Sequence, residues 1–450
     1  MTRVELKPMI EMHIGFDDTD SPKGGCTTYI AALLVEKLSS IGASFTDYPN
    51  LIRLNPNVPW KTRGNGTLCL RIRCGENLLD EITEAVIGTV EENAELGYDG
   101  TDPGIVFLFN NVPEEIKEFA KRTEQGIVEM KEALSLIKTF KAEALGFKKG
   151  RGIIGGLAAI GENLCGDHTY EAIAYRKPEN RGRPREIEVL SIKEMNEKTA
   201  PLTFNNVDSE TGRILITPRG PDPILYGIRG ENPEVVKRAH EMVRREEPVD
   251  RWVIFRTNHG TDAHLRRARS VREIRPYNSL IVQGVVAKEP KVIQGGHVVF
   301  SIRDETGEAD CAAYEPTGTL CETSKNLRVG DLIEVSGGVR PASSKHSITI
   351  NLEKIRVLKL VPEATFSNPI CPECGRRMKS MGTGKGFRCK KCGFRSSQLG
   401  KVAVKGKREL RRGIYVTSPR SQRHLTKPSC RYGREKLGAP RRMIRDWHFP

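Results

Sequence analysis

Three aspartates and three threonines crowd one short stretch: Gly15-Phe16-Asp17-Asp18-Thr19-Asp20-Ser21-Pro22-Lys23-Gly24-Gly25-Cys26-Thr27-Thr28. Carboxylates are hard oxygen ligands suited to Mg2+. The apolar run Met12–Phe16 before them reads as a buried strand, so the acids fall at a strand's C-terminal end, where α/β folds hold ligands. In an extended segment Asp18 and Asp20 share a face. Lys23, Gly24 and Gly25 follow as a turn whose free N–H groups can approach a phosphate. Thr27 or Thr28 then opens a helix, and a helix N-terminus favours an anion. The chemistry implied is that of a metal–nucleotide site. The same residues are also good turn formers, with Thr27 a good N-cap. No Gly-x4-Gly-Lys-Ser/Thr occurs in the chain, which excludes a Walker loop.

A second constellation is Cys371-Pro-Glu-Cys374 and Cys389-Lys-Lys-Cys392, with fourteen residues between the pairs. Each Cys-x-x-Cys turn can deliver two sulfurs to one tetrahedral Zn2+. Gly375 and Gly393 follow the second cysteine of each pair and permit the tight turn. A redox dithiol is the competing reading, disfavoured by two matched pairs. Four thiolates leave no open coordination position, so the predicted zinc is structural. Lys385, Arg388, Lys390, Lys391 and Arg395 give this ribbon a basic surface suited to phosphates.

Weaker candidates are scattered. Lys61 and Arg63 precede Gly64-Asn65-Gly66, a phosphate or backbone contact or simply a hairpin turn. Lys148, Lys149 and Arg151 lead into the Gly-rich 152–156 as a basic loop near a close backbone approach. Asp222 lies between two prolines, a fixed carboxylate of the kind a cation needs. His259, Asp262 and His264 could be read as a metal cluster, but no further ligands are evident, and hydrogen-bonding or RNA-contact roles are favoured.

These side chains need elements to position them. Strand and helix patterns alternate over 9–160: after Met12–Phe16 come a helix over Tyr29–Ile41, a strand at Gly66–Ile72, a helix over Leu78–Glu95, a strand at Ile105–Phe109 and a long helical stretch over Phe119–Phe140. That order predicts an α/β or α+β domain. The segment 161–270 carries strand patterns at His168–Tyr175, Leu202–Asn206, Ile214–Thr217 and Trp252–Thr257, with helical patterns near 190–198 and 232–245. A ferredoxin-like α+β sandwich accommodates it. From 275 to 362 about five short strands separated by Gly, Pro and Asp suit an OB barrel, with a small sandwich as the alternative. The ribbon occupies 366–400.

The net charge of +15 points to a polyanionic partner, and it is concentrated in 401–450, where fifteen Lys/Arg stand against three acids. This segment reads as a solvated, partly disordered basic tail, compatible with RNA binding. The N-terminal residues lack the apolar core of a signal peptide, and no apolar run reaches membrane-span length. Seven cysteines are scattered singly, so no disulfide framework is expected, and the predicted compartment is the cytoplasm.

Several motifs together resemble the archaeal tRNA(Ile) 2-agmatinylcytidine synthetases. They are Ile14-Gly-Phe-Asp-Asp-Thr-Asp-Ser…Cys26-Thr-Thr, Pro59-Trp-Lys-Thr-Arg-Gly-Asn-Gly66, Gly150-Arg-Gly-Ile-Ile-Gly-Gly-Leu-Ala-Ala-Ile-Gly161 and His168-Thr-Tyr-Glu-Ala-Ile-Ala-Tyr-Arg176. Gly220-Pro-Asp-Pro-Ile-Leu-Tyr-Gly-Ile-Arg-Gly230 and Asn258-His-Gly-Thr-Asp-Ala-His-Leu265 complete the set. The resemblance covers about residues 12–395. It implies a kinase-like ATP-binding domain, a ferredoxin-like domain, an OB fold and a zinc ribbon, in that order. It further implies ATP-dependent ligation of agmatine to C2 of the wobble cytidine in the CAU anticodon of tRNA(Ile), so that the tRNA reads AUA. ATP activates the C2 oxygen by phosphorylation and the amine displaces it. The threonine that becomes phosphorylated in that family falls on Thr27.

On this reading Asp17, Asp18 and Asp20 hold Mg2+ or orient the nucleophile. Lys23, Gly24, Gly25, Thr28 and Arg151 contact ATP phosphates, and Asp222 contacts agmatine. No obligate protein partner is implied. The segment before Met12 and the basic tail lie outside the resemblance. Two other readings remain: a different ATP-dependent RNA kinase or ligase, which keeps the 14–28 site without a diamine pocket, and a non-catalytic RNA-binding protein, which needs no acid cluster.

Overall fold

The computed structural model describes residues 9–344, 346–406, 408–439 and 442–450; of 363–365 and 403–406 only the backbone is described. Among the described residues the first two segments share one eleven-stranded sheet. Its main path runs Glu143–Gly146, Gly104–Phe109, Met9–Asp17, Gly66–Gly75, Asn50–Arg53, Val249–Thr257, Thr169–Arg176, Ile224–Gly230 and Thr203–Phe204. The two halves join where Asn50–Arg53 pairs in parallel with Val249–Thr257. Every other pairing along the path is antiparallel.

Helices α1 (Thr27–Ile41) and α2 (Leu79–Asn93) pack with this sheet through Ile30, Leu34, Leu38, Val86 and Val90. Helices α3 (Glu114–Gln125), α4 (Met130–Thr139) and α5 (Gly152–Gly161) form a separate core with Val106 and Leu108. The single long helix expected over Phe119–Phe140 is therefore two. The chain leaves the helix at Gly126, whose carbonyl accepts from Asn55 Nδ2 at 2.8 Å.

The glycine-rich stretch after the basic loop is α5. Its small residues let helix and sheet backbones touch: a Cβ on Gly15 would stand 2.0 Å from Gly156 O, and one on Gly155 would stand 1.9 Å from Asp17 Oδ2. Any side chain there would push the helix off the strand that carries the acids. Packing thus puts α5 with the first half of the sheet.

In the second half, α6 (Val189–Thr199) and α7 (Pro233–Met242) share a core with Leu225, Tyr226 and Ile228. Ile214–Thr217 is not a strand, since only an isolated bridge joins Val207 and Ile214. The strand the sequence concealed is Ile224–Gly230.

The third unit is a barrel of Ser279–Val292, Val298–Asp304, Gly307–Ala313, Leu332–Arg340 and Thr349–Lys359, with helix α8 (Thr319–Lys325) packed into its core. Pairing of Ser279–Val292 with Leu332–Arg340 closes it. The ribbon follows as a small three-stranded sheet.

The C-terminal segment is not a solvated tail. Gly413–Val416 adds a strand to the barrel, and His448–Phe449 adds one to the large sheet beside Trp252 and Val253. Trp447 inserts beside Phe45 and Tyr48. Arg431 is fully buried, its guanidinium bonded to Glu231, Asp167 and the carbonyl of Gly260. The basic residues that looked like a solvated surface include structural cations, each matched to acids far away in sequence.

Candidate active site

A cavity of about 810 Å3 opens where the two halves of the sheet meet. From the first half it is lined by Asp17, Asp18, Asp20, Thr27, Thr28 and Arg151, and from the loop before Gly66 by Trp60, Lys61 and Arg63. The second half adds Glu171, Asp222 and Arg229, and the C-terminal segment adds His424.

The acids do not sit as an extended strand would place them. Asp18 has φ 60°, a left-handed conformation that short polar residues tolerate. The chain turns there, so Asp18 and Asp20 go to different partners. Asp18 Oδ2 accepts from Arg151 Nη2 at 2.8 Å and Nε at 3.1 Å, and from the Asp102 N–H at 3.2 Å. Asp20 accepts from Thr62 Oγ1 at 2.7 Å and from Arg63 Nε at 2.9 Å. Asp17 lies beneath Gly155. Burial, and then the charge of Asp18, push its pKa well up. Burial also raises Asp18, in spite of Arg151.

Arg63 links the two halves. It binds Asp20 and the Gly25 carbonyl (2.7 Å), and its Nη1 lies 3.4 Å from Asp222 Oδ2. Asp222 also faces Arg185 at 3.3 Å. The proline-flanked carboxylate is therefore in the cavity and already serves cations.

Thr27 is the first residue of α1, following Cys26 at the N-cap. Thr19 Oγ1 donates to Thr27 Oγ1 at 3.0 Å, which leaves the Thr27 proton for another acceptor. The first turns of α1 and α5 both border the cavity, and their orphan N–H groups favour anions there.

Lys23, Gly24 and Gly25 behave differently. The N–H groups of Lys23 and Gly24 bond to Ser21 Oγ at 3.0 and 3.2 Å, and the three residues do not line the cavity. The expectation of free N–H groups is corrected for Lys23 and Gly24, whose N–H groups Ser21 consumes. Lys148 bonds the Tyr98 carbonyl, and of that basic group only Arg151 reaches the cavity.

Sequence reasoning missed a buried polar chain on the second half's side. Arg53 Nε donates to His259 Nε2 at 2.5 Å, and His259 Nδ1 lies 2.9 Å from Glu171 Oε2. Arg229 Nε donates to Glu171 Oε1 at 3.1 Å, and its Nη2 reaches His424 Nδ1 at 3.2 Å. The two imidazoles stack at 4.9 Å. Because arginine can only donate, His259 accepts at Nε2 and carries its proton on Nδ1. Burial lowers His259 to about 3, consistent with a neutral ring. Burial, then Arg53 and Arg229, lower His424 far below the usual range. Burial alone would raise Glu171, but Arg229 leads the charges that hold it below the carboxylate range. A glutamate inside a strand buried along its whole length was the available signal. His424, in a segment read as tail, gave none.

His259, Asp262 and His264 do not converge on a metal. His264 Nε2 faces Glu353 at 3.1 Å, and Asp262 pairs with Lys354 and accepts from the Lys427 N–H at 2.7 Å. This loop fastens the second half to the barrel and the C-terminal segment. Among the described residues the one group fit to hold a metal by three or more ligands is Cys371, Cys374, Cys389 and Cys392, with all ligand atoms within 4.8 Å of one another. Tetrahedral Zn–S bonds of about 2.3 Å imply S···S separations of about 3.8 Å, so the thiolates fit zinc. Gly375 and Gly393 have φ of 69° and 82°, as the tight turns require.

An α/β body with a deep charged cavity, joined to an OB barrel and a zinc ribbon, defines a nucleic-acid-modifying enzyme. Family models match along the chain in order: the TiaS TCKD domain over residues 13–149, the TiaS FLD domain over 150–264, the OB-fold nucleic acid binding domain over 280–358 and the TiaS C-terminal zinc ribbon domain over 368–410. The 2-agmatinylcytidine synthetase TiaS of Methanosarcina mazei, named for its isoleucine tRNA, is 42% identical over 436 residues, covering 95% of this chain and 99% of its own. The crystal structure of a complex of TiaS with that tRNA and ATP superposes with TM-score 0.82 at 41% identity, over 93% of this chain and 97% of that one. A complex of TiaS with the tRNA, AMPCPP and agmatine gives TM-score 0.81 at 38% identity, over 93% and 96%. The chain belongs to the tRNA(Ile) 2-agmatinylcytidine synthetase family. No helix among the described residues is long and apolar enough to cross a membrane.

Proposed function

We propose that this chain carries out its family's reaction, ATP-dependent ligation of agmatine to a cytidine of tRNA(Ile), in the cavity between the two halves of the sheet. The cytidine is the wobble base of the CAU anticodon and the reacting atom is its C2. A phosphoryl group from ATP passes to the C2 oxygen, the agmatine amine bonds to C2, and phosphate leaves as the amine gives up one proton. The C2 oxygen is a poor leaving group until it is esterified.

One observation carries the reading: the cavity gathers Asp17, Asp18, Thr27, Thr28 and Arg151 at two helix N-termini and sets Asp222 across Arg63 from them. Thr27, with its proton unspent, is the hydroxyl that accepts a phosphoryl group from ATP and releases that proton, in a transfer separate from the one to the C2 oxygen. Arg151, Thr28 and the first turn of α1 receive the triphosphate's charge. Mg2+ commonly binds one or two carboxylates together with substrate phosphates. Asp17 and Asp18 fit that role, because their mutual repulsion would be relieved by a cation. Asp20 does not fit it, being committed to Arg63 and Thr62. Asp222 receives a cationic end of agmatine where Arg63 now faces it. Lys23, Gly24 and Gly25 are left to shape the turn. The enzyme works in the cytoplasm, where tRNA is modified.

Incubation with ATP, labelled agmatine and unmodified tRNA(Ile) bearing CAU tests this. Label in the wobble nucleoside is the expected result. ATP turnover without transfer of label would favour a different RNA kinase or ligase.

A further inference from the structure

A second cavity, of about 340 Å3, adjoins the first, and Val58 and Lys61 line both. Its walls come from three segments distant in sequence: the loop holding Asn57, the barrel through Tyr277 and Arg340, and the C-terminal segment through Arg423.

The base of this cavity is firmly built. Asn57 Nδ2 donates to Ser279 Oγ at 2.7 Å and to the Asn278 carbonyl at 3.2 Å. Arg423 Nη1 donates to Asn57 Oδ1 at 2.5 Å. A Cβ on Gly338 would stand 2.2 Å from that same oxygen, so the barrel strand rests directly on the loop.

Three cations border the cavity, and two of them have no ion pair among the described residues. Lys61 Nζ donates to the Arg63 carbonyl at 2.8 Å, and no carboxylate lies within ion-pair distance among the described residues. Arg340 is exposed at a strand end and is likewise without an acid. Arg423 forms a long ion pair with Glu353, Nε to Oε1 at 3.9 Å, while the other carboxylate oxygen accepts from Thr426 and faces His264. Burial, then Arg423, lower the Lys61 ammonium. Like charges brought together by folding repel, and a bound anion relieves that repulsion.

We propose that this second cavity binds a phosphodiester of the substrate RNA next to the nucleotide whose base enters the main cavity, with Lys61, Arg340 and Arg423 as its cationic contacts. The assignment rests on the reaction proposed above. The other source of phosphate is the triphosphate of ATP, but Arg151 and the helix N-termini that suit it line only the main cavity. The second cavity opens instead beside an OB barrel, a fold that tracks nucleic-acid backbones. The C-terminal segment then serves both chambers, placing His424 in one and Arg423 in the other.

The test uses the full-length zinc-loaded protein, with Arg340→Gln, Arg423→Gln and the double variant. Binding of tRNA(Ile) bearing CAU is measured without ATP or agmatine as salt is varied, and KM for ATP is measured separately. The RNA probe is an anticodon stem-loop with a neutral methylphosphonate at a linkage flanking the reacting cytidine. Each substitution should weaken tRNA binding about tenfold and flatten the log–log salt dependence by about 0.7 per cation lost. The methylphosphonate should weaken the wild type by a similar factor and the double variant hardly at all. Equal penalties on wild type and double variant, or an effect confined to KM for ATP, would overturn the proposal. Arg423→Lys, which keeps the charge, should recover most of the affinity, and Arg340→Gln, at an exposed position, should leave the melting temperature in place. A wild type that shows the linkage effect yet transfers no agmatine sinks the reaction but not the subsite.

Discussion

The zinc ribbon and the main cavity are both built from side chains that converge, but over very different chain distances. The four ribbon sulfurs come from Cys371 to Cys392, and two turns closed by glycine suffice to aim them. The cavity draws on Asp17 at one end and His424 at the other, with Arg63, Asp222 and Arg229 between. A site closed by local turns can be read from spacing. A site closed by strand pairing requires knowing which strands pair, here the parallel junction of Asn50–Arg53 with Val249–Thr257.

The sharpest separation of the two sites comes from Thr27→Ala and Asp18→Asn. Both should reduce agmatine transfer by about 1,000-fold or more, equivalent to about 4 kcal/mol of transition-state stabilisation, while tRNA affinity in a filter-binding assay stays within about twofold. Full activity in Thr27→Ala would remove Thr27 from the mechanism.

The next largest effect falls on the C-terminal segment. Arg431→Met leaves Glu231 and Asp167 without the buried guanidinium between them. Breaking such a cluster by removing one partner costs about 3–5 kcal/mol. A melting curve should show the loss. An unchanged midpoint would mean the segment is merely laid against the body, and the cavity would not depend on it.

Zinc removal should act on the other region. Chelation, or Cys371→Ser, should unfold the ribbon and weaken tRNA binding about tenfold through loss of its basic surface. ATP binding at the cavity should persist. Loss of ATP binding on chelation would show the two regions to be one cooperative unit.

The smallest effect concerns Glu124, fully buried and hydrogen-bonded to Asn258 on the loop that carries His259. Burial, then Glu162, raise it from its ordinary value of 4.5 to about 7. The folded protein binds that proton more tightly than the unfolded chain does, so stability is lost as pH rises from about 4.5 to 7. Glu124→Gln should lack this decline and gain on the wild type across that window, by about 1 kcal/mol after the lost Lys121 pair is allowed for. Parallel melting curves across the window would count against this assignment.

What the sequence concealed has particular causes. Ile224–Gly230 is given no element by the sequence pattern because prolines and glycines interrupt it, yet Gly227 is there because a Cβ would stand 2.7 Å from Glu171 Oε1. The break at Gly126 falls inside a helical apolar pattern, and it frees Ile127, Val128 and Met130 to line the cavity. Asp18 and Asp20 looked paired because an extended chain was assumed, whereas a left-handed residue divides them. Conversely, the barrel's strands, α1, α2 and the ribbon follow local periodicity and turn residues, and they stand where the pattern placed them.

By itself the sequence determined the order of units, the zinc ligands and the stretch holding Thr27, since each depends on spacing within a few turns of chain. The tertiary structure alone decided that the acids separate, that Arg63 joins Asp20 to Asp222, and that the C-terminal segment brings His424 and Arg423 to the two cavities. Those outcomes depend on pairing side chains from 43 to 366 residues apart, and a buried arginine and a solvated one are written with the same letter.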